Sequence, residues 1–137
     1  MGVIEMTVDY KELVAQSYQA MAEGRIADFK AYFADQLVWQ EAEGFPYGGV
    51  YHGIDAVVDH VHSRLGSEWV DYQATPKAYF VSENQVVVHG QYSGTYKKTN
   101  KFFRADFAHF YRFDEAGKVV NFIQVVDSAL VQAAMTL

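Results

Sequence analysis

Residues 37–49 read L-V-W-Q-E-A-E-G-F-P-Y-G-G and change from a strand pattern to an aromatic, glycine-rich loop. Leu37, Trp39 and Glu41 are spaced two residues apart, so a strand places all three on one face. An ionised carboxylate on an apolar face loses hydration and must find a partner, take up a proton or stay in contact with water in a cavity. The stretch therefore predicts a functional site at Glu41. The alternative is a carboxylate near the strand end that simply reaches solvent.

Composition restricts the class of protein. The chain has 137 residues, a formal net charge of −6, no cysteine and 16% aromatic residues. This length fits one domain over 1–137 with a real core, and the many rings must line a core or a cavity. Basic residues form no stripe that could follow a phosphate backbone, so no nucleic-acid partner is expected. No apolar run approaches the roughly 18 residues of a membrane span, and the amino terminus lacks a secretory signal, which predicts a soluble cytoplasmic protein without a membrane partner.

Helical patterns come first along the chain. Asp9 and Glu12 form a capping box before an apolar stripe that closes at Gly24, which predicts a helix over 9–23. A short second helix is expected to end near Asp35, where the first strand begins. One side of this helix carries Ile26, Phe29, Tyr32 and Phe33. A third helix begins at residue 54 and ends by residue 66, because apolar residues recur there at spacings of three and four.

Strand patterns fill most of the remaining chain. Period-two alternation and short turns predict antiparallel strands at about 69–82, 85–98, 101–114 and 118–127, followed by a terminal helix over 129–135. One face of the third of these strands carries Phe103, Ala105, Phe107, His109, Tyr111 and Phe113. His109 is the only strongly polar member of that face, which reads as the buried one. On the last strand, Gln124 lies among apolar neighbours.

The order of elements predicts an α+β fold. A curved antiparallel (mixed) sheet would wrap around the N-terminal helices as a cone-shaped α+β barrel. Helices rarely fill the whole concave side of such a sheet, so an internal apolar pocket is expected at one end.

The histidines do not suggest a metal site. His60 and His62 are two residues apart on the third helix, so they point about 200° apart and both are predicted to be solvated. No pair among the five histidines shows ligand spacing, so no metal is expected.

The segment F-A-D-Q-L-V-W-Q-E at 33–41 and G-K-V-V-N-F at 117–122, together with the order of elements, resemble the nuclear-transport-factor-2-like superfamily. Within it the chain is most similar to SnoaL-like polyketide cyclases and ketosteroid isomerases. The isomerase resemblance implies an aspartate base at the position of Glu41 and an oxyanion donor at the position of His109. Its tyrosine donor falls on Ser17, beside Tyr18. The cyclase resemblance implies acid and base chemistry on carbonyl compounds without a cofactor, with Asp127 as a further candidate for a catalytic residue.

Glu41 and His109 are thus the predicted catalytic pair. If both face the pocket, desolvation raises the proton affinity of Glu41 toward that of a useful base, and His109 can stabilise an enolate oxygen. If they touch, they form an ion pair and a weaker base. A third alternative for His109 is a core histidine bonded to a tyrosine. The predicted substrate-binding residues are Trp39, Tyr47, Tyr51, Tyr92, Phe107 and Gln124, with both Tyr47 and Tyr51 at the pocket mouth and both Tyr92 and Gln124 as donors to a ligand oxygen.

Three functions follow from these patterns. The first is an enzyme of isomerase, cyclase or hydro-lyase type that acts on a small hydrophobic carbonyl compound. The second is a module of the same fold that binds small hydrophobic ligands or dimerises without catalysis. The third is a structural dimer with a closed interior. In each case the outer face of the sheet is available for a homodimer.

Overall fold

The chain begins its described structure with a capped helix. A computed structural model describes residues 8–137, and helix α1 spans Tyr10–Ala22. The Asp9 side chain accepts a hydrogen bond from the Glu12 backbone N–H at 3.0 Å, which satisfies one of the free donors of the first turn. The prediction of a first helix over 9–23 is confirmed.

The second helix is shorter than predicted. Helix α2 spans only Ile26–Lys30, and strand β1, Phe33–Glu41, begins almost at once. Phe33 pairs with Val119 across the sheet, so it belongs to the strand and not to the helix. The expectation that the helix continues to Asp35 is therefore wrong, because sheet pairing overrides the helical spacing of the apolar residues.

Six strands form one curved sheet. After β1 these are β2 Gly49–His52, β3 Trp69–Ser82, β4 Gln85–Tyr96, β5 Lys101–Phe113 and β6 Val119–Val126. The order across the sheet is β2-β1-β6-β5-β4-β3. All neighbours are antiparallel except β1 and β6, which are parallel, so the sheet is mixed. The α+β class and the four long strands are confirmed. The sheet has two edges and does not close, so the predicted barrel is an open curved sheet.

The connection between β2 and β3 is helical but irregular. It consists of helix α3 over Ile54–Val57, a π-helical turn over Val58–His62 and helix α4 over Ser63–Glu68. The sequence predicted one regular helix ending by Gly66. The wider π turn, with hydrogen bonds five residues apart, changes which side chains face the sheet.

The helices cover the sheet in three places. Helix α1 packs on β3 and β4, α3 packs on β1 and β2, and the terminal helix α5, Ser128–Met135, packs on β5 and β4. All six residues predicted for the buried face of β5 are buried. Trp39 and Phe122, on adjacent strands, stack with ring centroids 3.6 Å apart. Burial of each such ring stabilises the fold by roughly 2–3 kcal/mol. Across residues 8–137, no helix combines the length and the apolar character that a membrane crossing requires.

Candidate functional site

Glu41 and His109 lie on the same inner face of the sheet. Trp39 pairs with Phe122 in the parallel β1–β6 pair, so Glu41 and Gln124, two residues farther along each strand, are level with each other. His109 on β5 pairs directly with Gln124. The three side chains therefore form a row with Gln124 in the middle. Two strand spacings separate the outer members, about 10 Å.

Glu41 is buried and only half satisfied. It is 3% exposed, so the alternative of a carboxylate that reaches solvent is excluded. Its Oε1 accepts a hydrogen bond from Trp39 Nε1 at 2.7 Å, whereas its Oε2 is buried without a hydrogen-bond partner among the described residues. Burial raises the pKa of Glu41 to about 7, against the opposing effects of Trp39 and Gln124. The group therefore changes its charge near neutral pH, as a general base must.

His109 is held between two tyrosine hydroxyls. Its Nδ1 lies 2.5 Å from Tyr18 Oη and its Nε2 lies 2.5 Å from Tyr92 Oη. The ring is 5% exposed, and burial lowers its pKa well below the usual value, so the imidazole is neutral. No ion pair with Glu41 forms in the described structure. These contacts correspond to the alternative of a core histidine bonded to a tyrosine.

The hydrogen-bond directions follow from Gln124. Its Oε1 accepts from the Ala42 backbone N–H at 3.1 Å, so its Nε2 donates to Tyr92 Oη at 2.9 Å. The Tyr92 hydroxyl can then give its own hydrogen to His109 Nε2, which leaves Nδ1–H to donate to Tyr18. The hydroxyl hydrogen of Tyr92 and one of the two amide hydrogens of Gln124 are thus used within the protein. The expectation that Tyr92 donates to a ligand oxygen is wrong for this arrangement, because its hydrogen is directed to His109. The same expectation for Gln124 stays a prediction, because its second amide hydrogen is not used in these bonds.

Tyr18, and not its neighbour Ser17, is the residue of helix α1 that contacts His109. Resemblance placed a donor at Ser17, but the Ser17 hydroxyl bonds the Val14 carbonyl at 2.6 Å and is not available. Tyr18, about 100° farther around α1, instead stacks over His109 with ring centroids 5.8 Å apart. The signal was an aromatic residue on the half-buried side of the first helix. Its target could be identified only once α1 was placed over β4 and β3.

The other predicted binding residues divide into two groups. Trp39 and Phe107 line the row, and Phe107 stacks on His109 with centroids 4.0 Å apart. Tyr47 is buried: its hydroxyl donates to Glu68 and accepts from Trp69 Nε1. Tyr51 donates to the Tyr47 carbonyl at 2.7 Å. The prediction that these two tyrosines rim a pocket mouth is wrong for Tyr47, because its hydrogen bonds tie it into the core.

Asp127 is exposed and occupies the position before the first residue of α5. Its side chain makes no capping hydrogen bond, although its backbone N–H donates to the Asp106 carbonyl at 3.1 Å. Nothing in these contacts joins Asp127 to the row of Glu41, Gln124 and His109.

His62 corrects another expectation. His60 is exposed as predicted, but His62 turns inward and meets the rings of Phe29 and Trp39 edge-on, with centroids 5.3 and 5.9 Å away. Its Nδ1 is buried without a partner among residues 8–137, and burial lowers its pKa to about 4. The π turn that ends at His62 is the physical cause, because the extra residue rotates His62 toward the sheet.

Two depressions of the described surface lie away from the row of Glu41, Gln124 and His109, where the pocket was predicted. One depression, of about 510 Å³, lies between the start of β5 and α5, and the other lies beside the start of α1. Around the row itself the space is occupied by rings, including Phe45, which stacks on Tyr92 with centroids 6.1 Å apart. No group of three His, Asp or Glu side chains in the described range could hold a metal ion.

Comparison with solved structures supports the fold. An NTF2-like protein of Burkholderia thailandensis is 39% identical, with 96% of this chain and 100% of that chain covered and a TM-score of 0.90. TerC co-crystallised with polyporic acid is 17% identical, with 92% and 97% covered and a TM-score of 0.82. A protein of Shewanella denitrificans described as a SnoaL-like polyketide cyclase is 12% identical, with 92% of this chain and 96% of that chain covered and a TM-score of 0.76. The last two show a shared fold only.

Comparison with proteins of curated function gave no significant match. The sequence model of the SnoaL-like domain matches residues 14–122, which include most of α1, both Glu41 and His109, and most of the sheet, and which end two residues before Gln124. The chain belongs to the SnoaL-like domain family of NTF2-like proteins.

Proposed function

We propose that the protein is a cofactor-independent acid and base enzyme that acts on a small hydrophobic carbonyl compound, by isomerisation, cyclisation or hydration and dehydration. One observation carries this proposal. Glu41 is a carboxylate among aromatic rings, burial raises its pKa to about 7, and its Oε2 has no hydrogen-bond partner among residues 8–137. A structural carboxylate at such a position would be expected to have both oxygens satisfied.

Glu41 is the proposed base. Its ionised Oε2 would remove a proton from the carbon next to a carbonyl, and the electron pair of that C–H bond would move onto the carbonyl oxygen as an enolate. Return of the proton from Glu41 to another carbon completes an isomerisation without any change in oxidation state. A pKa near neutral pH suits both steps, because Glu41 must first accept the proton and then release it.

His109 is proposed as a positioning residue. Both ring nitrogens are occupied by tyrosine hydroxyls, so it fixes Tyr18 and Tyr92 and keeps the middle of the row rigid. This differs from the oxyanion role that the isomerase resemblance implied for it.

A relative of the same fold supports a small-molecule partner, since TerC was co-crystallised with polyporic acid. For this chain, a ligand at Glu41 would have to displace the rings above it. Residues 42–48 form the loop that follows Glu41 and supplies Phe45, a buried ring that stacks on Tyr92.

Exchange of hydrogen for deuterium at the α-carbon of a bicyclic ketone, 2-tetralone, tests the base directly. The wild-type protein should accelerate α-deuteration in D₂O, and Glu41→Gln should slow it by at least about 100-fold. Glu43→Gln, two residues away and exposed, is the matched control and should retain full activity. Full activity of Glu41→Gln would contradict the proposal, as would the absence of acceleration with 2-tetralone and a panel of related ketones.

The second candidate function is a binding module without catalysis. It is favoured by one observation: both ring nitrogens of His109 are bonded to tyrosine hydroxyls, so His109 has no nitrogen left for a substrate, and of the predicted catalytic pair only Glu41 has an atom, Oε2, without a partner among the described residues. Such a module would bind hydrophobic ketones, measured as a rise in melting temperature, and would not exchange their α-protons.

We further propose a homodimer through the outer sheet face. Phe80, Val87, Phe110 and Ile123 pair in turn across four strands and form an apolar row on that face. Phe80 is 62% and Phe110 is 40% exposed, and a second copy would bury both. Light scattering should give the mass of a dimer, and Phe110→Lys should give a monomer. Val50→Lys, on edge strand β2, should remain a dimer.

A further inference from the structure

Tyr72 carries a buried hydroxyl that no other residue of the described chain uses. The residue lies on β3, and its Oη is inaccessible to solvent and has no hydrogen-bond partner among the described residues. A buried phenol that donates to nothing costs the fold free energy, so such groups almost always find a partner. Glu41 Oε2 is in the same situation. One is a donor and the other an acceptor, yet they are not bonded to each other.

A β-bulge turns Tyr72 toward the interior. Trp69 and Tyr72 both face inward although they are three residues apart, which regular alternation forbids. The register with β4 shifts between Val70 and Gln73, and Asp71 in the bulge has a φ of 55°, a conformation that non-glycine residues rarely adopt. Bulges commonly re-aim a side chain beside a functional site.

The facing strand makes room for the re-aimed ring. Gly94 on β4 lies against Tyr72, and a Cβ at that position would come within 3.1 Å of the Tyr72 ring and 3.3 Å of its Cα. A side chain at position 94 would therefore push Tyr72 out of place. The bulge, the positive φ and the glycine act together to hold one phenol in this position.

Tyr72 lies close to the row that contains Glu41. Its ring packs on that of Tyr92, with centroids 5.6 Å apart, and the Tyr92 hydroxyl is bonded to Gln124 and His109. Burial raises the pKa of the Tyr72 phenol well above the usual value, and the negative charge of Glu41 adds to this effect. The phenol therefore keeps its hydrogen at any physiological pH and can only donate or accept as a neutral hydroxyl.

We propose that Tyr72 donates a hydrogen bond to the oxygen of a bound ligand, and that Glu41 Oε2 faces an acidic hydrogen of the same molecule. The ligand class is a small, planar, enolisable ketone, whose acidic hydrogen lies on the carbon next to the carbonyl, or its enol or phenol equivalent, whose acidic hydrogen lies on the oxygen itself. This assignment rests on the proposed function, because it supplies the oxyanion donor that His109, with both nitrogens occupied, does not supply.

Two aromatic probes that differ by one hydroxyl group test the assignment. Binding of 2-naphthol and of naphthalene would be measured by fluorescence for the wild-type protein, Tyr72→Phe, Glu41→Gln and the control Tyr79→Phe. Tyr79 is a part-exposed tyrosine on the same strand. Tyr72→Phe should weaken 2-naphthol binding by about 5- to 20-fold, the effect of one lost hydrogen bond, and leave naphthalene binding unchanged. Tyr79→Phe should bind both probes as the wild-type protein does.

The outcomes separate the two proposals. Equal 2-naphthol affinity of Tyr72→Phe and wild type, with weaker binding by Glu41→Gln, overturns the role of Tyr72 and leaves Glu41 in place. Failure of the wild-type protein to bind either probe overturns both. Melting temperature gives a reading without any ligand: loss of an unpartnered hydroxyl should leave Tyr72→Phe as stable as wild type or more stable. A marked drop would show that the hydroxyl already has a structural partner, such as a buried water, and would overturn the assignment.

Discussion

The Glu41→Gln variant should gain stability relative to the wild-type protein as the pH rises. Burial raises the pKa of Glu41 from 4.5 to about 7. The folded chain therefore holds this proton more tightly than the unfolded chain does. As the pH rises from about 4.5 to about 7, the unfolded chain ionises first, so the free energy of unfolding of the wild-type protein falls through this window.

The size of the effect follows from those two values. Full ionisation of Glu41 costs the fold about 3 kcal/mol above pH 7, and the cost disappears below about pH 4.5. Glutamine has no proton to lose and avoids this cost. Its amide places an unpartnered N–H group at the position of Oε2, which lowers the free energy of unfolding of the variant by about 1–2 kcal/mol at every pH. The difference in stability between Glu41→Gln and wild type should therefore change by about 3 kcal/mol between pH 4 and pH 8.

Urea unfolding at several pH values measures this difference. Other groups titrate in the same range, but they do so in both proteins and cancel when the two curves are subtracted. Glu43→Gln is the matched control, because this side chain is exposed and lies in the same loop region. The free energy of unfolding of Glu43→Gln should stay within about 0.5 kcal/mol of the wild-type value at all pH values. A Glu41→Gln difference that does not vary with pH would refute the reasoning that Glu41 is desolvated in the folded protein.

Three further predictions concern the surrounding residues. His109→Phe should lower the free energy of unfolding by about 2–4 kcal/mol in urea titrations, because the hydroxyls of Tyr18 and Tyr92 each lose a hydrogen bond in the interior, whereas His60→Phe on the surface should have little effect. His62→Gln should reduce the loss of stability on acidification: the part-buried imidazole has its pKa lowered to about 4, so wild type loses stability as the pH falls from 6.5 to about 4, and a smaller slope in the variant is expected in acid unfolding curves. Gly94→Ala should destabilise the fold by about 1–3 kcal/mol by crowding Tyr72, and an unchanged melting temperature would contradict that packing.

The long strands and their inner faces were predictable because alternation is a local signal. His109 alternates with apolar residues over 13 residues of β5, which fixes its face whatever the rest of the chain does. The placement of Glu41 follows in the same way from Leu37 and Trp39. Resemblance to a known family added candidate roles for Glu41 and His109, which alternation alone does not assign.

The parts that were not predictable depend on contacts between distant segments. The bulge at Asp71 and the π turn before His62 each insert one residue into a regular pattern, so the predicted face is wrong beyond that point. Tyr72 and His62 were missed for this reason. Tyr18 was missed because the angle at which α1 crosses the sheet decides which of its residues meets His109. The packing of rings around the row, where an open pocket was expected, likewise depends on side-chain volumes that a sequence pattern does not show.

The central claim is that Glu41 is a desolvated carboxylate that titrates near neutral pH on the inner face of the sheet. The most direct test is a ¹³C NMR titration of the Glu41 carboxyl carbon, assigned by its absence in Glu41→Gln. The structure predicts a midpoint near 7, well above that of an ordinary glutamate. A midpoint near the ordinary value of about 4.3 would contradict the claim and with it the proposed base.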